Sequence, residues 1–170
     1  MMAGSHVVVG VGSWFLLEHY MHNPLLLPVA VASVVAGSLL PDIDHPKSWV
    51  GKKVPFISKP ISSVFGHRGL THSLLAIFGW VLIYTFARDD RHWLMPMIFG
   101  YVSHLAADFL TVSGLRLLWP IKFRFALPVC KTGSPIEGMI VGAFAATVVF
   151  IVTGRLHLNI GDTIRQVLHA

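Results

Sequence analysis

Apolar residues are not spread evenly along the chain. They gather in five runs, at about 4–17, 24–41, 70–87, 93–112 and 136–154. A helix that crosses a bilayer needs about 20 such residues, within a range of about 17–25. The last four runs are marginal to adequate, and the first is short and rich in glycine. The first run lacks a basic leading segment and is flanked by His6 and Glu18, which argues against a cleaved signal peptide. The pattern predicts an all-α integral membrane bundle of about four to five membrane helices, the first of them tilted or partly embedded. One domain covers 1–154, and a C-terminal tail follows at 155–170.

The polar segments between the runs orient this bundle. Segment 41–69 holds Lys47, Lys52, Lys53, Lys59 and Arg68, and segment 113–135 holds Arg116, Lys122, Arg124 and Lys131. Between the third and fourth runs lies the turn Arg88-Asp89-Asp90-Arg91, whose charges cancel. Two spans separate the basic segments, so both lie on one side. The excess of Lys and Arg makes that side cytoplasmic, which predicts a multi-pass membrane protein with both basic segments facing the cytoplasm.

Composition supports the same class. Of 170 residues 54% are hydrophobic and 12% charged, and the mean hydropathy is +0.68. Soluble domains average about 25% charged residues, so an ordinary soluble enzyme is disfavoured, and so is a disordered chain. The net charge of +5 fits cytoplasmic membrane flanks. Basic and aromatic residues alternate over Lys122-Phe123-Arg124-Phe125, too short a stretch for a nucleic-acid groove, so no nucleic-acid partner is expected. The single cysteine, Cys130, forbids an internal disulfide and a cysteine-based zinc cage.

The eight acids are outnumbered by ten histidines, and their positions carry the candidate chemistry. Asp42 and Asp44 end the second run. His67, Arg68 and His72 open the third. His104 and Asp108 sit at i and i+4 in the fourth, on one helical face. Threaded up and down through the bundle, these groups fall at the cytoplasmic end, together with His6 at the start of the first run and Glu137 at the start of the fifth. Ionisable groups inside a membrane are costly and are functional candidates by default. Nitrogen and oxygen donors without thiolate suit zinc, with manganese or iron also compatible. The donors outnumber the needs of one four-coordinate ion, so the count suggests two metals, with some groups behind the ligands.

Plainer roles exist for each residue alone. Asp42 can cap a helix, His6 can be an interfacial polar residue, and His104 with Asp108 can be a buried hydrogen-bonded pair. Glu137 suits any helix start. Lys122 and Arg124, near Trp119, can be interfacial anchors or can hold a phosphate. His45, beside a proline and a lysine, reads as a loop residue or as support for a ligand. His19, His22, His92, His157 and His169 fall in flanks and tail.

At these motifs the chain resembles a known family, the bacterial membrane-bound metal-dependent hydrolases of the YdjM type, sometimes labelled LexA-regulated. The matching segments are LLPDIDHPKS (39–48), ISKP (57–60), FGHRGLTHSLL (65–75), GYVSHLAADFLT (100–111) and LLWP (117–120). His6 and Glu137 fit as well, and the likeness spans about 1–145. The resemblance implies a metal site with ligands His6, Asp42, Asp44, His67, His72, His104 and Asp108, with Arg68 and Glu137 at motif positions of less defined role. It also implies hydrolase activity. The helical His/Asp arrangement is similar in style to the zinc-dependent phospholipase C proteins, which points to phosphoester bonds.

The resulting expectation is hydrolysis of a lipid or lipid-linked phosphate at the cytoplasmic leaflet by metal-activated water. Asp42 or Glu137 would accept the water's proton. Arg68, with Lys122 or Arg124, would hold the phosphate oxygens. The competing class is a metal-ion transporter or metal sensor, for which the same cluster would be a transit site. Against it, the donors gather at one end, and no pair of broken helices appears in two halves.

Overall fold

Pro41 has no backbone N–H and cannot continue an α-helical ladder. The second apolar run is therefore an α-helix only as far as Leu39, then tightens into a 3-10 turn, Leu40–Asp44, that leaves His45 extended. This change of pitch delivers Asp42 and Asp44 to the end of the bundle. The computed structural model describes residues 1–21, 28–87 and 91–154. The acids of the Arg88–Arg91 turn, His22 and the 155–170 tail lie outside the described residues.

The described chain is helical, with seven α-helices. They are α1 (Ala3–Met21), α2 (Pro28–Leu39), α3 (Trp49–Lys53), α4 (Pro55–Phe65), α5 (Leu74–Phe86), α6 (Arg91–Phe109) and α7 (Pro135–Val152). A second 3-10 turn, Leu70–His72, precedes α5. Among the described residues no strand forms. The 110–130 stretch is irregular and is tied by two isolated bridges, Thr111 to Cys130 and Leu115 to Phe125. The 41–69 segment, read from its charge as a loop, instead folds into the first 3-10 turn, α3 and α4. The Ser48 side chain starts α3 by accepting from Gly51 N at 2.9 Å, a standard helix cap.

The centre of the bundle is the pair α2 and α6, with α1 against both and α7 against α1. Glycine makes the central pair possible. A Cβ on Gly37 would stand 1.9 Å from the Met97 carbonyl oxygen, and one on Gly100 would stand 2.2 Å from that of Val34. Small residues at such contacts let helix backbones approach closely. Trp14, Ala30 and Val34 pack beside this crossing, with Phe99 against them. Tyr101, Leu105 and Leu115 form a second cluster toward α5.

The described helices differ in their fitness to cross a membrane. Only α7 among them is both long and apolar enough, with a mean hydropathy of 2.0 and 22% of the segment buried. Ser134 caps it, and Pro135 fills its first turn, where a missing N–H costs nothing. α1 and α6 each have 19 residues, about 28 Å at 1.5 Å per residue, but polar groups interrupt their apolar faces. α5 has 13 residues and buries none of them, and exposes Phe78, Val81, Ile83 and Phe86. The number of spans read from hydrophobic runs is thus larger than the number of helices that qualify on length and composition. The reason is twofold: α2 and α5 are short, with 12 and 13 residues, and α1 and α6 carry ionisable residues near both ends.

Candidate metal centre

Four elements aim polar side chains at one point: the start of α1, the 3-10 turn after α2, the 3-10 turn before α5, and the last two turns of α6. His6, His72, His104 and Asp108 are each at most 1% exposed, while the Asp42 side chain keeps 17% exposure. Two overlapping donor groups result, His6–His104–Asp108 and Asp42–His72–His104, and in each the donor atoms lie within 4.8 Å of one another. His72 Nε2 is 3.3 Å from His104 Nε2 and 3.8 Å from Asp108 Oδ2. His104 Nε2 is 3.9 Å from Asp42 Oδ1 and 4.0 Å from Asp108 Oδ2. His6 Nε2 is 3.4 Å from Asp108 Oδ1, and the His6 ring stacks on that of His104 at 3.6 Å. Ligands around a tetrahedral ion with bonds of 2.0–2.1 Å stand about 3.3–3.4 Å apart, so these separations are near what a shared cation requires.

The outer ring nitrogens decide what the inner ones present. His104 Nδ1 donates to the Ser38 carbonyl at 2.7 Å. That carbonyl is free to accept because it belongs to the last turn of α2, where carbonyls lack helical partners. His72 Nδ1 lies 3.1 Å from Asp44 Oδ2, and a carboxylate accepts. Asp44 also receives His67 Nδ1 at 3.0 Å, the Arg68 backbone N–H at 3.0 Å and the Thr71 hydroxyl. Burial alone would raise the Asp44 pKa, but the bonds from His67, His72 and Thr71 outweigh it and hold the carboxyl well below the usual carboxylate range. It is therefore an ionised acceptor, and in neutral imidazoles both inner Nε2 atoms are lone pairs pointed at each other. Neither ring nitrogen of buried His6 has a hydrogen-bond partner. Buried lone pairs left in this state fit a bound cation, and histidines whose second nitrogen is held by a carboxylate or carbonyl are the usual metal-binding form.

The remaining sequence candidates take other places. Asp44 and His67 stand behind the donors. His67 is 40% exposed on its side chain and stacks on His45 at 4.2 Å. Arg68 has φ 57°, an uncommon left-handed conformation for a side-chain-bearing residue. It is held there at three points, by Asp44 on its N–H, by Asp108 Oδ2 at 2.6 Å and by the Gly114 carbonyl at 2.9 Å. Its guanidinium is thus already committed to Asp108. Glu137 does not join the donors. Its carboxylate accepts from Met2 N at 2.8 Å and Gly133 N at 2.7 Å, so it clamps the chain before α1 to the start of α7. The Met1 amine contacts Asp108. Lys122 and Arg124 are exposed.

A cavity of about 500 Å³ opens onto this end, lined by Asp42, His67, Arg68, Trp49 and Arg124 among others. Among the described residues Asp42 alone belongs both to a donor group and to the cavity wall. Ser38 and Tyr101 were given no role by sequence reasoning, yet Ser38 holds His104 and the Tyr101 hydroxyl bonds the Thr71 carbonyl. For Tyr101 a signal existed: Tyr101, His104 and Asp108 recur at helical spacing on one face. For Ser38 none did, because its contribution is a backbone carbonyl.

The chain is 45% identical over 118 residues to inner membrane protein YdjM of Escherichia coli (strain K12), covering 65% of this chain and 60% of that protein. It is 38% identical over 142 residues to protein YvsG of Bacillus subtilis (strain 168), covering 82% and 87%. The matched region thus spans about 60% of the length of the Escherichia coli relative. No solved structure matches. The family model described as YdjM inner membrane protein matches residues 1–161, and on that extent the chain belongs to the YdjM inner membrane protein family.

Proposed function

We propose that this protein is a multi-pass enzyme of the bacterial inner membrane that hydrolyses a phosphoester of a lipid or lipid-linked substrate at the cytoplasmic leaflet, using one divalent metal ion, zinc by preference. The observation that carries the reading is the approach of His72 Nε2 to His104 Nε2 at 3.3 Å, bordered by Asp42, Asp108 and His6 and opening onto a polar cavity. One ring nitrogen holds one ion, so the sharing of His104 between the two donor groups favours a single metal position. Asp44 and His67 then serve as supports for that position.

When bound, a divalent ion supplies Lewis-acid activation of water and neutralises charge on a phosphoryl group. The chain's own groups do the rest. Asp42 reaches both the donor cluster and the cavity and accepts a proton from water entering there. Arg124 on the cavity wall attracts an anionic headgroup. Arg68 positions Asp108 from behind. Burial of the other donors excludes bulk water and strengthens their electrostatics.

The test uses purified, zinc-loaded protein in lipid mixed micelles, supplied with phospholipids and lipid monophosphates. Phosphoester cleavage that Asp42→Asn abolishes, without loss of zinc, supports the reading. Equal background turnover by wild type and Asp42→Asn overturns it, and zinc flux in proteoliposomes would replace it with transport.

A further inference from the structure

Two segments rim the polar cavity, and neither contains an acid. No Asp or Glu occurs between His45 and Arg88, nor between Phe109 and Ile136. The first stretch includes α3 and α4, and the second is the irregular stretch before α7. Trp49 of α3 and Arg124 of the irregular stretch both line the cavity wall.

Both segments are inverted relative to a soluble surface. On α4, positions 56, 59, 60, 63 and 64 form one face by helical spacing, and all are exposed. That face carries Phe56 at 74% and Val64 at 71% exposure, with Lys59 between them. Trp49 is 60% exposed, beside exposed Lys52 and Lys53. On the other rim Ile121 and Phe123, 59% and 62% exposed, alternate with exposed Lys122 and Arg124. Large exposed apolar groups interleaved only with cations are the composition of a helix or loop lying in a lipid interface. Tryptophan concentrates at that depth, and exposed lysines on segments that carry no acid of their own match an anionic headgroup layer.

We propose that α3–α4 and the Ile121–Phe123 tip form a collar immersed in anionic lipid headgroups around the cavity mouth. The collar sets the depth of the molecule at this end and places the mouth among headgroups rather than in bulk water. It does so whether or not the cavity hydrolyses anything.

The full-length protein tests this with nitroxide labels on Phe56→Cys and Val64→Cys. Cys130 is buried, and wild type serves as the labelling control. Collision with oxygen, which partitions into lipid, is compared with collision with a water-soluble nickel chelate. The vesicles contain equal parts of phosphatidylcholine and phosphatidylglycerol. Both labels are expected to favour oxygen, and removing phosphatidylglycerol or replacing Lys52, Lys53 and Lys59 by Gln is expected to raise nickel access. Nickel access equal to that of free label in water overturns the proposal. Protection from both reagents overturns it in favour of a protein covering this face. Immersion that ignores both phosphatidylglycerol and the lysines overturns the anionic assignment.

Discussion

His72 and His104 face each other Nε2 to Nε2 at 3.3 Å, and each has its other ring nitrogen engaged, by Asp44 and by the Ser38 carbonyl. With the outer nitrogens as donors, the inner nitrogens turn their acceptor sides to each other, an arrangement that something positive between them would relieve. The pair comes from turns that are 32 residues apart in sequence, so the fold itself maintains the confrontation.

Removing either ring should empty the site. His72→Ala and His104→Ala are expected to lose stoichiometric metal measured by elemental analysis. His67→Ala, which stands behind the donors, is expected to retain it. Asp44→Asn should weaken metal affinity by about 10–100-fold, the usual cost of losing a partner that orients a ligand. Full metal retention by His104→Ala would sink the assignment.

Metal removal should lower stability. An ion that binds only the folded chain adds about 2.7 kcal/mol at 100 times its dissociation constant. Dialysis against a chelator is therefore expected to lower Tm in detergent, and added zinc to restore it. His104→Ala should show no zinc-dependent change in Tm.

Acid sensitivity should trace partly to Asp44. Its carboxyl is held well below the usual carboxylate range by hydrogen bonds from His67, His72 and Thr71 that outweigh burial. A carboxylate with a depressed folded-state pKa adds stability that is fully present above its unfolded value and is lost as pH falls below it. In metal-free protein, Asp44→Asn should be less stable than wild type at neutral pH and show a flatter acid limb. Thermal melts at stepped pH read both effects, and parallel limbs would contradict the prediction.

The central helix crossing should reject a methyl group. Gly37→Ala and Gly100→Ala each place a Cβ against backbone, 1.9 Å and 2.2 Å from a carbonyl oxygen. Backbone cannot swing aside, so a loss of about 1–3 kcal/mol is expected, the usual range for overpacking. Metal affinity should fall too, because separating α2 from α6 draws Ser38 away from His104. Gly142→Ala, which meets nothing within 4 Å, is the control and should match wild type in both readouts.

The Glu137 carboxylate should matter for stability rather than for metal. Glu137→Gln keeps one acceptor oxygen and turns an NH2 donor toward the other backbone N–H, Met2 or Gly133, which is left without an acceptor, a loss of about 1–3 kcal/mol for a buried site. Metal content is expected to stay at the wild-type level. A zinc-depleted Glu137→Gln protein would instead make the carboxylate part of the centre.

Much of the site was legible along the chain because ionisable residues in an apolar protein are few. His104 and Asp108 are related by helical spacing alone, and the up-and-down threading brings Asp42, His72 and His6 to the same end. The division of labour was not legible. Asp42 and Asp44 are two residues apart, yet one lines the cavity and the other is buried behind His72. That outcome depends on the 3-10 pitch after Pro41, which turns the two carboxylates to different surroundings. The 41–69 segment read as a basic loop because its polar residues mask the helical spacing of Phe56, Lys59, Pro60, Ser63 and Val64, whose exposed face is half apolar.

By itself, the order of apolar and polar residues determined a helical membrane-type chain with its His and Asp donors gathered at one end. Periodicity and the cost of burying charge act locally and are visible in any stretch of the chain. Tertiary structure decided which donors share a point, which ones orient others, and that Arg68 and Glu137 clamp rather than face the centre. Those assignments turn on distances of a few ångströms between segments remote in sequence, set by the glycine-allowed contact of α2 with α6 and by a carbonyl left unpaired where α2 ends.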